Sequence, residues 1–491
     1  MVCDNLITMK KISVFLISLI LFQVSFGQAR QNKPVDLDVL MKINLGSSIG
    51  KLRALPVQLN KMEKGFLFAY SADKEIDPWI EMFYPPTDPV KLAVYSQEGK
   101  LIWQRQLGKG VINGIWFTPF YAFDLDQNGT DEIYYVNNID SVHILSYKGR
   151  RLSSLDGSTG EKVGEWPWKR VEDGSLSQTF RNFIMGGYVH GKPVLITAQG
   201  TYGNMGIQAW DPGMIPRWEI LISEDEAGAR GSHMCPVIDV DADGIDDLLW
   251  GERCMSLDRG NYLFIADRDE YNGHSDVIQP TLNWSENQWY IFTCRESGDQ
   301  GQIKPRVVMF DNMGKRVWND LEIGHMDMGW TAQVDSGEGT IAFTISRGEK
   351  TAGPDGFYRT DVVEYAYDAF SGNPVKLPFN AYNTVPVDLD GDGFHEFASA
   401  MDEQSDKKIY NIRGQIIGDL GEKAYLAMAS KILDRPGEQI LCYYPDGTVR
   451  IWGDKNAMDS DRAKKRYAHP YYEHCQRLTG TGYNLVNLGG L

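Results

Sequence analysis

Three acidic segments of the chain share one spacing of oxygen-bearing side chains. Oxygen ligands occupy the first, third, fifth and ninth positions of each segment, and a glycine follows the fifth position. A hard cation such as calcium prefers oxygen ligands, and the first half of an EF-hand loop has a comparable arrangement. The spacing therefore predicts three calcium-binding turns, and the alternative is an acidic surface turn that binds no metal. The predicted ligands are Asp124, Asp126, Asn128 and Glu132; Asp239, Asp241, Asp243 and Asp247; and Asp388, Asp390, Asp392 and Glu396.

Strand-like segments flank these turns and recur along the chain. The first acidic turn lies between the aromatic run 120–123 and the apolar run 133–136. Elsewhere a strand, a glycine turn and a returning strand that ends in Trp follow one another, as in residues 95–103 and 310–318. Such units recur at about 40 to 60 residues, the range of one four-stranded propeller blade. We predict an all-β chain that forms a β-propeller of seven blades, with eight blades or a two-domain sandwich as alternatives.

The N-terminus has the pattern of a signal peptide. Lys10 and Lys11 precede an apolar run from Ile12 to Phe22, and small residues follow up to Gly27. We predict that residues 1–27 are removed and that the protein is secreted or periplasmic. Residues 28–491 are predicted to form one propeller catalytic domain, in which a closing segment from about residue 455 to 491 crosses back over the ring.

Composition limits the classes of partner. The formal net charge is −17, whereas nucleic acids and anionic membranes attract basic surfaces. We therefore predict no nucleic-acid partner, no membrane insertion and a monomer. An anionic polysaccharide is not excluded, because bound calcium and a local arginine can make one face positive. The 13 Trp and 24 Tyr side chains suit both sheet packing and stacking on sugar rings.

Five cysteines follow the predicted signal peptide, and an odd number cannot pair completely within one chain. One or two disulfide bridges, a metal site and buried free thiols are all compatible with this count. A structural zinc site built from Cys254, His274 and Cys294 is one of these alternatives.

Residues 231–244 resemble a block of bacterial rhamnogalacturonan lyases, G-N-H-x-x-x-x-x-D-V-D-G-D-G, with His233 and Asp239 at its histidine and first aspartate. Residues 273–276, Gly-His-Ser-Asp, are similar to the G-H-G-D block of that family. Residues 198–202 resemble its R-G-Y-Y segment, with Gln199 in place of the arginine. The similarity is collinear from about residue 120 to 280, and the related propeller lyases that degrade ulvan share the propeller form.

The resemblance implies a secreted polysaccharide lyase, and more specifically an ulvan lyase, that cleaves a rhamnose-rich, sulfated uronate polymer by β-elimination. It implies Tyr202 as base and acid and Arg217 as the group that neutralises the uronate carboxylate, with His233 as the second-best candidate for the base. Ulvan lyases of this type place a catalytic histidine early in the chain, where this sequence offers Asn137, Asn138 and His143, and Asn138 could take over neutralisation of the carboxylate. Tyr262 is a weaker candidate.

Other interpretations of the same residues stay open. Tyr202 can be a packing aromatic, Arg217 can pair with a surface carboxylate, and His233 can be a buried structural histidine. A non-catalytic, calcium-dependent propeller that binds glycans or proteins is the main alternative function. A glycoside hydrolase would need a carboxylate pair across a cleft.

Overall fold

The strands of the described residues form eight four-stranded sheets whose neighbouring strands are antiparallel. This computed structural model describes residues 35–168, 174–296, 305–322, 324–334, 339–346, 350–353, 356–359 and 361–491. The predicted signal peptide, residues 1–27, lies outside the described residues. The all-β propeller prediction is confirmed, and the blade count is eight, the alternative to the seven that the repeat spacing favoured. Within the described residues, no helix has the length and apolar character needed to cross a membrane.

The strands are numbered in chain order, and six of the eight blades are built from four consecutive strands. Strand β1 (Leu37–Asn44) belongs to the last blade. The other strands, blade by blade, are β2 (Lys51–Asn60), β3 (Glu63–Ser71), β4 (Lys91–Ser96) and β5 (Leu101–Gln106); β6 (Phe120–Phe123), β7 (Glu132–Asn138), β8 (Arg150–Asp156) and β9 (Lys162–Pro167); β10 (Asn182–Val189), β11 (Lys192–Gln199), β12 (Met205–Asp211) and β13 (Ile215–Ile222); β14 (Val237–Ile238), β15 (Asp247–Trp250), β16 (Arg253–Ser256) and β17 (Tyr262–Ile265); β18 (Ser275–Asn283), β19 (Gln288–Arg295), β20 (Val307–Asp311) and β21 (Arg316–Asp320); β22 (Gly329–Gln333), β23 (Thr340–Ser346), β26 (Val363–Asp368) and β27 (Pro374–Val375); β28 (Thr384–Val387), β29 (Glu396–Ser399), β30 (Lys408–Tyr410) and β31 (Ile416–Asp419); and β32 (Tyr425–Ser430), β33 (Gln439–Tyr443) and β34 (Thr448–Asp454). Strands β24 (Lys350–Gly353) and β25 (Gly356–Arg359) form a separate hairpin within the sixth blade's sequence.

The ring is closed by the N-terminal strand rather than by the segment from about residue 455 that we expected to close it. Strand β1 pairs with β34, with Leu37 opposite Asp454 and Asn44 opposite Thr448. The last blade therefore combines both ends of the propeller sequence, which removes an exposed sheet edge at the joint.

The C-terminal segment consists of short helices that lie against the first strands of several blades. After β34 come α2 (Asp461–Tyr467) and α3 (Pro470–Arg477), then 3-10 turns at Leu478–Gly480 and Asn484–Gly490. The last of these turns contacts the first strands of the fifth, sixth and seventh blades, β18, β22 and β28. The remaining helical elements are a short α1 (Leu176–Thr179) and a 3-10 turn at Tyr147–Gly149.

Tryptophans on the outer strands of three blades contact the blade that follows. Trp103 in β5, Trp218 in β13 and Trp318 in β21 each donate an indole N–H to a backbone carbonyl of the following blade, at 2.8 Å in every case. The carbonyls belong to Gly157, Leu257 and Ala369. These three tryptophans thus join the first blade to the second, the third to the fourth and the fifth to the sixth.

Two faces of the propeller follow from the direction of each blade's first strand. In the fourth blade, His233 lies before β14, and the acidic turn that begins at Asp239 follows it. Opposite ends of a strand lie on opposite faces of the ring. The segments that precede the first strands therefore share one face, called here the cavity face. The acidic turns after β6, β14 and β28 share the other, called here the acidic-turn face.

Candidate active site

A cavity of about 380 Å³ is lined by segments that precede the first strands of several blades and by loops that follow their second strands. Arg181 comes immediately before β10, and Asn383 immediately before β28. Because these segments converge at the cavity face, residues distant in sequence meet there. The polar residues that line the cavity are Asp77, Arg181, Tyr202, His233, Asp276, Glu296, Asp327, Asn383 and Tyr483.

Tyr202 and His233 contact each other in this cavity. The Tyr202 hydroxyl lies 3.2 Å from Nε2 of His233. Tyr202 follows β11 in a left-handed backbone conformation, with φ of 73°, which is uncommon for a residue with a side chain. Burial raises the pKa of Tyr202 well above its usual value, and the nearby Arg181 opposes that rise. The hydroxyl is therefore protonated in the metal-free protein at neutral pH.

His233, His274 and Asp276 form a group of three buried metal-ligand side chains. Oδ1 of Asp276 lies 3.3 Å from Nε2 of His233 and 3.5 Å from Nε2 of His274. Nδ1 of His233, Nε2 of His274 and Oδ1 of Asp276 are buried without a hydrogen-bond partner. Buried polar atoms in native structures are nearly always paired, so the unpaired atoms of His274 and Asp276, which lie 3.5 Å apart, fit a bound cation.

The protonation states of this group also suit a metal ligand set. Burial, followed by the charges of His274 and Arg181, lowers the pKa of His233 well below its usual value. Burial opposes ionisation of Asp276, but its interactions with His233, His274 and His325 hold its pKa well below the usual range. Neutral imidazole and ionised carboxylate are the forms that bind metals.

His325 lies beside the same aspartate among further carboxylates. Its Nε2 is 2.8 Å from Glu296, 2.7 Å from Asp327 and 3.7 Å from Oδ2 of Asp276. Burial acts to lower the pKa of His325, but hydrogen bonds to these three carboxylates outweigh it and raise the pKa to about 10. In the metal-free protein His325 is therefore an imidazolium.

Arg181 is a buried cation at the cavity wall. Its guanidinium lies 3.7 Å from Asp77, and its central carbon is 4.7 Å and 5.6 Å from the ring centroids of Trp116 and Tyr202. Asp77 also accepts a hydrogen bond from the Trp116 indole at 3.1 Å, which fixes this wall. Nη1 of Arg181 is buried without a hydrogen-bond partner. A planar guanidinium with a free donor is suited to bind a carboxylate.

The structure brings two of the sequence-predicted catalytic residues together and places three elsewhere. Tyr202 and His233 meet in the cavity. Arg217 lies on the outer strand β13, where it pairs with Asp211 at 2.8 Å and with Asp258, so its charge is used within the fold. Arg181 is the arginine that lines the cavity.

Asn138 and Tyr262 are also committed to contacts within the fold. Asn138 ends β7 and donates its side-chain amide to the Ile144 carbonyl at 3.1 Å. Tyr262 lies on the outer strand β17 and donates its hydroxyl to Glu226 at 3.1 Å. Neither residue lines the cavity.

Residues that sequence reasoning missed include Arg181, Glu296, His325 and Tyr483. Arg181 and His325 could have been found from their positions in the repeat, because each lies in a segment that leads into the first strand of a blade. Tyr483 comes from the C-terminal segment, and its backbone N–H donates to the His233 carbonyl at 2.7 Å.

The three acidic turns have one backbone geometry. The glycine N–H donates to the first aspartate of each turn, at 2.8 Å for Asp124, 2.9 Å for Asp239 and 3.0 Å for Asp388. The ninth residue accepts from the backbone N–H at the second position, at 3.1, 3.1 and 2.9 Å respectively. The glycines have φ of 95°, 84° and 95°, a region that disfavours side chains. Asp239, Asp241 and Asp247 have ligand oxygens within 4.8 Å of one another, and so do Asp388, Asp390 and Glu396.

These carboxyl groups are crowded and partly desolvated. Burial, followed by neighbouring carboxylates, raises the pKa of Asp247 to about 8 and that of Glu132 to about 7. The same causes raise the pKa of Glu396 well above its usual value. The all-oxygen donor set and the raised pKa values both fit a hard cation, whose charge would offset the repulsion.

The C-terminal segment contacts all three acidic turns. Arg466 of α2 pairs with Asp388 at 3.1 Å, and Arg477 of α3 pairs with Asp131 at 2.8 Å. His474 lies 3.7 Å from Asp246 in the second turn. The same segment then reaches the cavity at Tyr483, so it runs between the two faces.

The proposed zinc ligands do not meet. His274 lies in the cavity group, whereas Cys254 and Cys294 are buried in an apolar cluster. Burial raises the pKa of both thiols, which disfavours the thiolate that zinc requires. The zinc site therefore remains a prediction without support in this geometry. The five described cysteines are free and buried.

In sequence and in fold, the chain is similar to rhamnogalacturonan lyases. It is 22% identical over 354 residues to the rhamnogalacturonan exolyase YesX of Bacillus subtilis strain 168, covering 60% of this chain and 57% of that protein. It is 27% identical over 279 residues to the rhamnogalacturonan endolyase YesW of the same organism, covering 48% of this chain and 44% of that protein. The chain thus spans about half the length of the curated relatives it matches. No family model matches the chain.

Solved structures agree on the fold. The crystal structure of the exotype rhamnogalacturonan lyase YesX superimposes with a TM-score of 0.70 at 18% identity, covering 90% of this chain and 80% of that one. A Bacillus licheniformis rhamnogalacturonan lyase gives 0.67 at 18% identity, covering 92% and 81%. At this identity the likeness shows the fold alone.

Proposed function

We propose that the protein is a polysaccharide lyase that cleaves a rhamnose- and uronate-containing polymer by β-elimination. The observation that carries the proposal is the meeting of Tyr202, Arg181 and the group His233, His274 and Asp276 in one cavity. The similar proteins are named as lyases of rhamnogalacturonan, so that polymer is the first substrate to test. A sulfated, ulvan-like polymer is the second, from the sequence resemblance. Either polymer lies outside the cell, in keeping with the predicted export signal.

Elimination at a uronate breaks the C5–H bond, forms a C4–C5 double bond and breaks the bond from C4 to the leaving O4. The C5 proton can leave only if the adjacent carboxylate is neutralised. Arg181 is the fixed positive charge for that carboxylate, and Asp77 and Trp116 hold the guanidinium in place. A divalent cation held by His233, His274 and Asp276 would supply a second positive charge when bound.

Tyr202 is the group we assign to both proton transfers. Its hydroxyl lies next to the metal-ligand group and near Arg181, and both positive charges favour the phenolate that takes the C5 proton. The same oxygen then returns the proton to O4, so that the tyrosine is regenerated. His233 is left as a ligand and hydrogen-bond partner rather than as a second base.

We further propose that the three acidic turns hold calcium as a structural ion. Their ligand atoms are on the acidic-turn face, away from the cavity, and they contact the C-terminal segment that supports the first strands. Calcium would neutralise part of the net charge of −17.

The direct test is ultraviolet absorbance during incubation of the purified protein with rhamnogalacturonan, with ulvan and alginate in parallel. Elimination creates an unsaturated uronate that absorbs, whereas hydrolysis does not. We expect absorbance to rise on the rhamnose-containing polymers and not on alginate. If absorbance does not rise on any polymer but the protein is retained on a column of the same polymer, the protein is a glycan-binding propeller rather than a lyase.

A further inference from the structure

A second cavity, of about 390 Å³, lies on the acidic-turn face. The second acidic turn forms one of its walls and contributes Asp241 and Asp246. Helix α3 and the residue before it form another wall and contribute His469 and His474. The hairpin between β18 and β19 completes the rim with Glu286. None of these residues lines the cavity of the candidate active site, and the proposed elimination does not use them.

We propose that this second cavity binds a neutral sugar residue, so that the protein has a carbohydrate site on the face opposite the candidate active site. Its volume is within the range of small-molecule sites, about 300–1,000 Å³. A site at this position goes beyond the proposed function, because elimination needs only the cavity face. Three features of the lining favour a sugar: its polar atoms, its apolar side chains and its charge.

His474 carries a buried polar atom without a partner. Its side chain is 9% exposed, and its Nδ1 has no hydrogen-bond partner. Oδ2 of Asp246 lies 3.7 Å from this nitrogen, which is too far for a hydrogen bond. An oxygen atom at about 2.8 Å from each of them would bond to both. A hydroxyl donates and accepts at once, so a sugar hydroxyl suits a carboxylate and an imidazole nitrogen together.

His469 offers a hydrogen-bond donor of fixed orientation. Its Nδ1 accepts the backbone N–H of Tyr471 at 3.2 Å, at the start of α3. Burial is the main cause that lowers the pKa of His469. The neutral ring therefore carries its proton on Nε2. Trp284 and Trp289 pack edge-to-face against this ring at 6.0 and 5.5 Å, so the Nε2 donor is held in place for a sugar oxygen.

The same cavity has an apolar side. Leu282, Trp289 and Tyr471 line it, and the two aromatic rings pack edge-to-face at 5.1 Å. A sugar ring has C–H groups on its faces and hydroxyls around its edge. Such a ring can lay its C–H groups against the aromatic side chains and direct its hydroxyls to the histidines and carboxylates. Apolar walls with a few convergent polar groups are the usual lining of a small-molecule site.

The charge of the lining decides which sugars fit. Four carboxylates line the cavity, and its described lining residues include no lysine or arginine. Asp246 and Glu286 are not among the predicted calcium ligands, so their charges remain when the turn holds an ion. A uronate would be repelled here, whereas a neutral sugar can donate its hydroxyls to the carboxylates. The candidate active site differs, because its Arg181 is suited to bind a carboxylate.

The experiment is nuclear magnetic resonance of the full chain with isotope-labelled histidine, in calcium, during titration with a methyl glycoside. The probes are the methyl glycosides of rhamnose, galactose and galacturonic acid, and the first two separate a 6-deoxy sugar from a hexose. The chain has eight histidines, and the signals missing from His469→Asn and His474→Phe identify the two in this cavity. Asn keeps a helix-capping side chain at position 469, and Phe keeps the ring that stacks on Tyr188.

We expect both signals to move with at least one neutral glycoside and to stay in place with the galacturonide. The signal of His143, an exposed histidine of the cavity face, is the internal control and should not move. In His474→Phe the Kd for the neutral glycoside, followed at the His469 signal, should rise about tenfold, because one hydrogen bond is lost.

Two outcomes would overturn the proposal. One is that neither neutral glycoside moves the two signals at concentrations well above the millimolar range. The other is that the galacturonide moves them as strongly as the neutral glycosides, since the cavity would then not select a neutral sugar. No polymer is cleaved in this titration, so its result is independent of the absorbance assay, and the second site and the lyase activity can fail separately.

Discussion

The two faces of this propeller both concentrate carboxylates, but they surround them differently. On the acidic-turn face the ligand sets are oxygen alone, and each repeats the same glycine turn. On the cavity face Asp276 is surrounded by three histidines, and Arg181 and Tyr202 line the same cavity. Repetition of one geometry suits a structural ion, because the three blades that carry the turn each have to stabilise the same loop. A single mixed cluster suits chemistry, because proton transfer and charge neutralisation require different groups side by side.

The C-terminal segment is the physical link between the faces. Arg466 and Arg477 pair with buried aspartates next to the acidic turns, and Tyr483 contacts His233 at the cavity. Loss of turn cations should therefore loosen the support of the cavity before it alters the ligands within it. The predictions below separate the two faces.

The largest expected effect is on the cavity face. Tyr202→Phe removes the hydroxyl that we assign to both proton transfers, so kcat should fall by about 10²–10⁴-fold. The melting temperature should change little, because the ring keeps its packing against His274. Tyr262→Phe on outer strand β17 is the matched control and should keep wild-type kcat in the absorbance assay. Equal activity of the two variants would remove Tyr202 from the mechanism.

The second prediction compares two arginines. Arg181→Lys keeps a positive charge but loses the planar fork, so kcat/KM should fall by about 10²-fold. Arg217→Lys, on the outer strand with its two aspartates, should leave kcat/KM unchanged. Steady-state kinetics on the same polymer measure both. The reverse ranking would restore the sequence-based assignment of Arg217.

The third prediction concerns the acidic-turn face and pH. Without calcium, Glu132 and Asp247 have pKa values of about 7 and 8 in the folded protein, against about 4 when unfolded. The folded state then holds more protons between these values, so its stability falls as pH rises from about 4 to 8. Calcium removes this loss, and an ion at about 100 times its Kd adds about 2.7 kcal/mol per site.

The measurement is the melting temperature at pH 5 and pH 8, with calcium and with chelator. We expect the gain from calcium to be larger at pH 8 than at pH 5. A gain that is equal at both values, or absent, would mean that these turns do not hold calcium.

The sequence was sufficient for features whose signal is local. The acidic spacing at Asp239 and the Trp-ended hairpin at Trp318 each depend on a few neighbouring residues, and both led to an all-β propeller. The blade number was harder, because β1 and β34 form one blade from opposite ends of the chain. Counting repeats along the sequence misses such a blade, because neither end of the chain contains all four of its strands.

The arginine proposed to bind the substrate carboxylate shows the limit of prediction from sequence. Arg217 was chosen for its sequence distance from Tyr202, but a residue one strand away in the same blade can lie on the outer edge. Arg181 immediately precedes β10, and the pairing of β10 with β11, in which the Gly200 N–H donates to the Arg181 carbonyl at 2.9 Å, brings it to Tyr202. The segments that resemble the lyase family, 231–244 and 273–276, contain His233, His274 and Asp276. Glu296 and His325 lie near them only because the blades fold into a ring.

The central claim is that the cavity carries out elimination while the acidic turns stabilise the fold. The most direct test measures the initial absorbance rate and the melting temperature together for Tyr202→Phe and for Asp247→Asn, in calcium. We predict that Tyr202→Phe loses the rate and keeps its melting temperature, whereas Asp247→Asn melts earlier and keeps its rate at temperatures well below melting. If Asp247→Asn loses the rate without a change in melting temperature, or Tyr202→Phe keeps the rate, the division between the two faces is wrong.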